Sequence, residues 1–320
     1  MIERLLSAGL GSIELGLLYA LMALGVYITF RILNFPDLTV DGSFTTGGGI
    51  AAIMITSGYS PLLATVCAFA GGMLAGACTG LLNTKGKING LLSGILMMIA
   101  LYSINLRIMG KPNISLLGEK TVFSNLGNLI PFLSQTWNII IVLVVIVLIV
   151  KLLLDWFLYT DFGLALRATG DNSRMIRSFG ANTDTTTIVG VSLSNGLVAL
   201  SGALVAQQSG FADTTMGIGM IVIGLASVII GETLFGARRV IIATLAAVLG
   251  SIVYRFVYAL GLQMSWLKAS DLKLLTALIV ILALTLPMIR NSFKAKSLAR
   301  KRIMQLEKDG AGQTVSGGGR

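Results

Sequence analysis

Residues 42–84 read GSFTTGGGIAAIMITSGYSPLLATVCAFAGGMLAGACTGLLNT, forty-three positions without one charged side chain. As a single helix this run would measure about 65 Å at 1.5 Å per residue, against a hydrocarbon core near 30 Å, so it must turn back on itself. Ser57-Gly-Tyr-Ser-Pro61 is the break. A chain that needs two consecutive apolar helices of this kind is dissolved in a bilayer.

The rest of the sequence agrees. It is 55% hydrophobic and 12% charged, against roughly 25% charged residues in ordinary soluble domains. Residues 88–106, 185–212 and 214–231 are further uncharged stretches. Lys and Arg number 24 against 14 Asp and Glu, but they lie in loops and the tail rather than in patches mixed with aromatics. This pattern orients a membrane protein and does not suit nucleic acid. Histidine is absent, which removes imidazole zinc ligands and Ser-His or Cys-His nucleophile pairs. With no metal cluster and no paired carboxylates at a catalytic spacing either, no catalytic residue, metal or cofactor is expected. Cys67 and Cys78 stand eleven apart on one predicted helix, about 16 Å at 1.5 Å per residue and beyond disulfide reach.

Hydropathy gives an all-α fold, a polytopic transmembrane bundle of about nine spans near residues 8–30, 38–56, 61–82, 88–106, 137–158, 186–207, 216–235, 240–260 and 272–289. Residues 1–290 form the membrane domain, and 291–320 a basic tail that begins as a surface helix and ends in flexible Gly and Ser. The first span carries Glu14 and no recognisable cleavage site, so it is expected to stay. Asp37, Asp41 and Gly47-Gly-Gly49 suggest that the second span is partly broken or re-entrant. With the tail inside, inner segments hold sixteen basic residues and outer segments six. Basic residues favour cytoplasmic loops, which sets the N-terminus outside and the C-terminus in the cytoplasm. Gly72, Gly76 and Gly80, and again Gly217, Gly224 and Gly231, fall at spacings that let helices pack closely.

One island interrupts the apolar pattern, RATGDNSRMIRSFGANTDTTT at 167–187. Thr160-Asp161 caps a first short helix that stops at Gly170, and Asp171-Asn172 caps a second, SRMIRSF, that stops at Gly180. Met175, Ile176 and Phe179 gather on one face of the second, flanked by Arg174 and Arg177. The residues alone allow two uses: insertion into a partner's groove, or an amphipathic helix lying on lipid headgroups. Asn182-Thr-Asp184 caps the next span.

Polar, uncharged side chains inside spans suit a path that passes a solute without holding it. Ser43, Thr45 and Thr46 beside three glycines, Ser103 and Asn105, and Ser192, Ser194 and Asn195 are the candidates, together with Asp41. The alternative for each is interhelical hydrogen bonding. Lys151 and Asp155, spaced i and i+4, suit an ion pair. Glu232 and Arg255 suit pairing across helices or snorkelling, and Glu14 and Asp41 suit either a pathway or a structural tie.

Three segments carry a resemblance. GLALRATGDNSRMIRSFGANTDTTTIVGVSLSNGLVALSGALVAQQSG at 163–210 resembles the cytoplasmic coupling segment and following helix of the permeases of bacterial ABC importers in the branched-chain amino acid, ribose and xylose family. GLASVIIGETLFGARRVIIATLAAVLGSIV at 224–253 resembles that family's Gly-rich helix, basic turn and next helix, and LYALMALGVYITFRILNFPDLTVDGSF at 18–44 resembles the first helices of its amino-acid branch. At the Gly-rich turn this chain has Gly231-Glu-Thr rather than a second glycine, and its nine spans differ from the ten of sugar-type relatives; both features weaken a sugar assignment.

The resemblance implies a permease subunit in the bacterial plasma (inner) membrane whose coupling segment, 160–186, docks on a cytoplasmic ABC ATPase subunit. Asp171, Asn172, Arg174, Met175, Ile176, Arg177, Phe179 and Gly180 are the residues it assigns to that contact. It further implies an extracytoplasmic solute-binding protein, which the outer segment 107–135 would meet, and a second permease copy, since no internal duplication is visible. The sequence holds no G-x-x-x-x-G-K-[ST] phosphate loop, so ATP hydrolysis is expected on a separate subunit. The cargo implied is an amino acid, branched or aromatic, ahead of sugars and nucleosides. A self-sufficient secondary transporter or channel is the competing reading, and it would place a coupling-ion or proton site among Glu14, Asp41 and Glu232.

Overall fold

The computed structural model describes residues 2–124, 135–262 and 276–282, with residues 274 and 285. Helix α1, Ile2–Val26, runs into a π-helical turn at Tyr27–Ile32. Then follow α2 (Thr39–Thr56), α3 (Pro61–Thr84), α4 (Gly90–Met109), strand β1 (Asn113–Ser115), α5 (Gln135–Tyr159), α6 (Asp161–Ser178), α7 (Thr183–Ser209), strand β2 (Phe211–Asp213), α8 (Met220–Phe235) and α9 (Val240–Leu262).

The break that the 42–84 run requires is where the sequence puts it. Gly58 adopts φ +86°, a left-handed turn a side chain would oppose. Ser60 then accepts a hydrogen bond from the Leu63 N–H and Pro61 opens α3. Similar signals end the other helices: Asn89 caps α4 and Gly110 closes it, while Asn182 caps α7 and Gly210 closes it.

Helix α7 is the axis of the bundle. It is buried along most of its length and packs against α3, α2 and α1; α8 packs against α9, and α9 returns against α1. The glycine stripe of α3 makes its close contact with α7 possible. A Cβ at Gly76 would lie 2.8 Å from the Ser192 Cα, and one at Gly80 would lie 2.8 Å from the Ile188 Cα, so the two backbones touch as the small-residue spacing predicts. Gly224 and Gly231, by contrast, face different neighbours, Val26 and Ala246. Leu62, Leu74, Leu96, Leu152, Leu153 and Trp156 stand exposed on the outer faces of α3, α4 and α5, as lipid-facing side chains do.

Among the described residues six helical segments are long and apolar enough to cross a membrane: Gly9–Ile32, Pro61–Thr84, Gly90–Met109, Thr136–Tyr159, Thr183–Ser209 and Val240–Leu262. The helical membrane bundle is therefore present, and the expected nine spans differ from it in three places. Helix α2 is one continuous element rather than a broken one, but it is rich in glycine, serine and threonine and its polar stretch is buried inside the bundle. Helix α8 has 16 residues, short for a span of about 20. The ninth expected span, 272–289, lies mostly outside the described residues, as do the tail 291–320 and residues 125–134. Two short strands also interrupt the all-α expectation. β1 and β2 pair antiparallel, with Asn113 opposite Asp213 and Ser115 opposite Phe211, because the extended chains leaving α4 and α7 need partners for their backbone groups.

Charges inside the bundle are paired or engaged. Lys151 and Asp155 form an ion pair at 2.5 Å, both 8% exposed, and the Thr244 hydroxyl donates to Asp155. Glu232 takes a hydrogen bond from Arg31 at 2.9 Å. Glu14 accepts from Gln208. The Arg255 guanidinium lies 3.8 Å from the centre of the Tyr19 ring and 5.4 Å from that of Tyr258, a cation–π arrangement. Cys67 and Cys78 are both free thiols.

Candidate functional site

The island at 160–186 is built as two helices meeting at a kink. Thr160 caps the first by accepting from the Gly163 N–H, and Asn172 leaves helical geometry at φ −155°, ψ 88°. Its side chain then accepts from the Met175 N–H, capping the second helix. Gly180, at φ +85°, closes that helix. The expected stop at Gly170 does not occur: the first helix continues to Asp171, and Gly170 serves close packing instead, since a side chain there would overlap the Ile32 carbonyl.

This packing anchors the base of the second helix, which forms a peg at residues 171–180. Leu166 is fully buried, and the Thr169 and Thr186 hydroxyls lie 3.1 Å apart. Arg177 turns back to donate to the Thr183 hydroxyl at 2.7 Å, with Asp184 at 3.6 Å. Arg177 therefore braces the peg onto α7 rather than standing free at its tip. Phe179 is 77% exposed and Met175 51%, while Ile176 is half-buried beneath them. Asp171, Arg174 and Asn172 line the polar flanks.

The polar residues inside the spans separate into two groups. Ser43 donates to the Asn195 side-chain oxygen at 2.7 Å, and the Asn195 amide donates to Asp37 at 2.6 Å and to the Val191 carbonyl at 3.0 Å. Ser194 donates to the Gly25 carbonyl at 2.7 Å and Ser192 to the Ile188 carbonyl at 2.7 Å. Thr46 donates to Asn105 at 2.8 Å. These groups are buried, and all but the Ser192 bond, which lies within α7, tie helices together.

A second set, which shares Asn105 with the first, borders a cavity. Asp41, Thr45, Ser103 and Asn105 line a cavity of about 460 Å³ between α2, α4 and the stretch before α8, with Met98 and Tyr102 on its apolar side. Asp41 sits here for a definite reason. Its carboxylate accepts the N–H groups of Gly219 and Ile221, each at 2.8 Å, which are donors that the start of α8 leaves without intrahelical partners. The cavity is thus bounded by a charge that a helix start holds in place.

Sequence reasoning missed four participants: Thr39, whose hydroxyl lies 2.8 Å from that of Thr79; Gln207, which accepts from the Val122 N–H and donates to Thr65; Tyr102; and the Arg31–Glu232 tie. Tyr102 carried a signal, one position before Ser103 on the same helix. The others depend on distant chain segments meeting, which no local spacing encodes.

The chain resembles known proteins over most of its length. The chain is 47% identical over 265 residues, 83% of its length and 86% of the relative's, to the tyrosine transport system permease protein of Clostridioides difficile (strain R20291). It is 29% identical, over 60% of its length and 63% of the relative's, to a branched-chain amino acid transport permease protein, LivH, of Methanocaldococcus jannaschii. Among solved structures, PsaBC from Streptococcus pneumoniae in complex with Fab matches with a TM-score of 0.51 at 15% identity, covering 88% of this chain and 95% of that one, a likeness of fold. The profile described as branched-chain amino acid transport system, permease component, matches residues 10–285, and the chain belongs to that permease family.

Proposed function

We propose that this chain is the membrane subunit of a binding-protein-dependent ABC importer for an amino acid, most simply an aromatic one. The observation that carries the reading is the peg at residues 171–180: capped at both ends, braced at its base by Arg177, and exposing Met175 and Phe179. Apolar side chains held out on a rigid mount suit insertion into a partner's groove. In this account Asp171, Asn172, Arg174, Met175, Ile176, Phe179 and Gly180 meet or shape the contact with a separate ATPase, and Arg177 positions it.

The rest of the reading follows from that orientation. The peg side is cytoplasmic, the N-terminus is outside and the C-terminus inside, as the basic residues favour. Nine spans cross the inner membrane when α2, α8 and residues 272–289 are counted with the six long helices. Two copies form the pathway, an external binding protein delivers the solute, and ATP hydrolysis belongs to the ATPase subunit. The cavity beside Asp41 supports an amino acid cargo: a carboxylate and the Asn105 amide can meet the polar end, and Met98, Ile99 and Tyr102 the side chain. The tyrosine transport named for the relative at 47% identity supports an aromatic one. A self-coupled transporter is disfavoured because Glu14, Asp41 and Glu232 each already hold a protein partner.

Reconstitution tests the proposal. Proteoliposomes holding this permease with a cognate ATPase and binding protein should accumulate radiolabelled tyrosine only when ATP is supplied on the peg side. Uptake by the permease alone, driven by an ion gradient, would reject it.

A further inference from the structure

A second cavity, of about 240 Å³, opens on the peg side between the end of α1, the first half of α6 and the turn joining α8 to α9. Four arginines line it, Arg31, Arg167, Arg238 and Arg239, against two carboxylates, Asp171 and Glu232. The Arg31–Glu232 bond at 2.9 Å occupies one of each. Arg167, Arg238 and Arg239 form no ion pair among the described residues, so three guanidinium groups share one cavity with a single remaining carboxylate. Tyr27 also lines it.

We infer that this cavity binds a phosphate group, of the kind an anionic phospholipid headgroup or a soluble phosphate ester presents. Like charges that outnumber their counter-charges repel one another, and a dianionic or monoanionic oxygen cluster relieves that repulsion while matching the planar donor fork of each guanidinium. The location favours the lipid source. Arg31 ends the first span, Leu234 and Phe235 at the end of α8 are exposed apolar side chains, and Arg238 and Arg239 follow immediately, so the cavity sits where an apolar surface gives way to a charged one. Basic pockets between spans at that depth hold phosphate headgroups. A phosphate there would bridge α6, which carries the peg, to the α8–α9 turn and the end of the first span, adding to the Arg31–Glu232 contact and the packing of Gly170 on Ile32. The assignment of the leaflet rests on the cytoplasmic orientation proposed above; binding of the phosphate itself does not.

The test uses the full chain, purified in detergent and stripped of lipid, with phosphatidylglycerol, phosphatidylcholine and inorganic phosphate as probes and native mass spectrometry as the readout. Phosphatidylglycerol is expected to bind in preference to phosphatidylcholine. Each of Arg167→Gln, Arg238→Gln and Arg239→Gln should weaken it about fivefold, and the Arg238→Gln/Arg239→Gln pair about thirtyfold. Lys87→Gln, on the same side but away from the cavity, should leave it unchanged. Displacement of the lipid by inorganic phosphate, or binding of phosphate alone, would identify a site satisfied by soluble esters; resistance to displacement would identify the headgroup as the source.

Equal binding of both lipids with no phosphate bound would overturn the inference. So would arginine variants that bind phosphatidylglycerol as the parent does, or a loss matched by Lys87→Gln. Variants that keep lipid and phosphate binding but lose the ATPase would assign the arginines to a protein contact instead. None of the lipid measurements needs a transported solute or an ATPase, so failure here is separable from failure of the importer reading.

Discussion

Asn195 donates its side-chain amide to Asp37 at 2.6 Å, both groups buried, and so fastens the middle of α7 to the linker that leads into α2. The same Asn195 accepts from Ser43. Replacing it with Leu would leave a buried carboxylate and a hydroxyl each short of a partner, at about 1.5–3 kcal/mol for the charged group alone. Thermal unfolding in detergent should show Asn195→Leu melting well below the parent, whereas Ser192→Ala, which removes only a bond within α7, should melt close to it.

The two ion pairs should behave differently. Lys151 and Asp155 are 8% exposed, and removing one partner leaves a buried charge, so Asp155→Ala should cost about 3–5 kcal/mol. Arg31 is 57% exposed and solvent screens its bond to Glu232, so Glu232→Gln should cost no more than about 1 kcal/mol. Equal shifts in melting temperature for the two variants would contradict the burial assigned to α5.

Packing of α3 on α7 gives a steric prediction. Gly76→Leu drives a side chain into the backbone at Val191 and Ser192, where overpacking costs about 1–3 kcal/mol or more. Gly9→Ala, with nothing within 4 Å of the added Cβ, should be neutral. Yield of folded protein by size-exclusion chromatography distinguishes them, and a well-folded Gly76→Leu would reject the contact.

These contrasts mark how much was legible beforehand. The turn at Ser57–Pro61, the caps at Thr160, Asn172 and Asn182, and the closing Gly180 were readable because each depends on residues within one turn of chain. The continuity of α2 was not, because Gly47, Gly48 and Gly49 weaken an isolated helix and only contact with neighbours such as Ala199 explains them. Gly170 misled for the same reason: its neighbour, Ile32, lies far away in sequence. Most of the polar residues marked as pathway candidates, among them Ser43, Thr46, Asn105, Ser194 and Asn195, also bond across helices, a partnership set by which side chain lies opposite and invisible in composition.

Asp41 joins fold and cavity, so its variants should separate the two. Asp41→Ala removes the acceptor for Gly219 and Ile221 and should destabilise the start of α8 by about 0.5–2 kcal/mol. Asp41→Asn retains one carbonyl acceptor and should keep most of that stability while lowering uptake, because the cavity loses its negative charge. Asp41→Asn transporting at the parental rate would remove the carboxylate from the pathway.

The most direct test of the account is whether the exposed peg holds the ATPase. Met175→Asp and Phe179→Asp alter side chains that are 51% and 77% exposed, so the bundle should melt within about 0.5 kcal/mol of the parent. The account predicts that each variant, purified from cells co-expressing a cognate ATPase subunit, loses the ATPase that the parent retains. Recovery of ATPase at the parental ratio with the doubly substituted permease would contradict it.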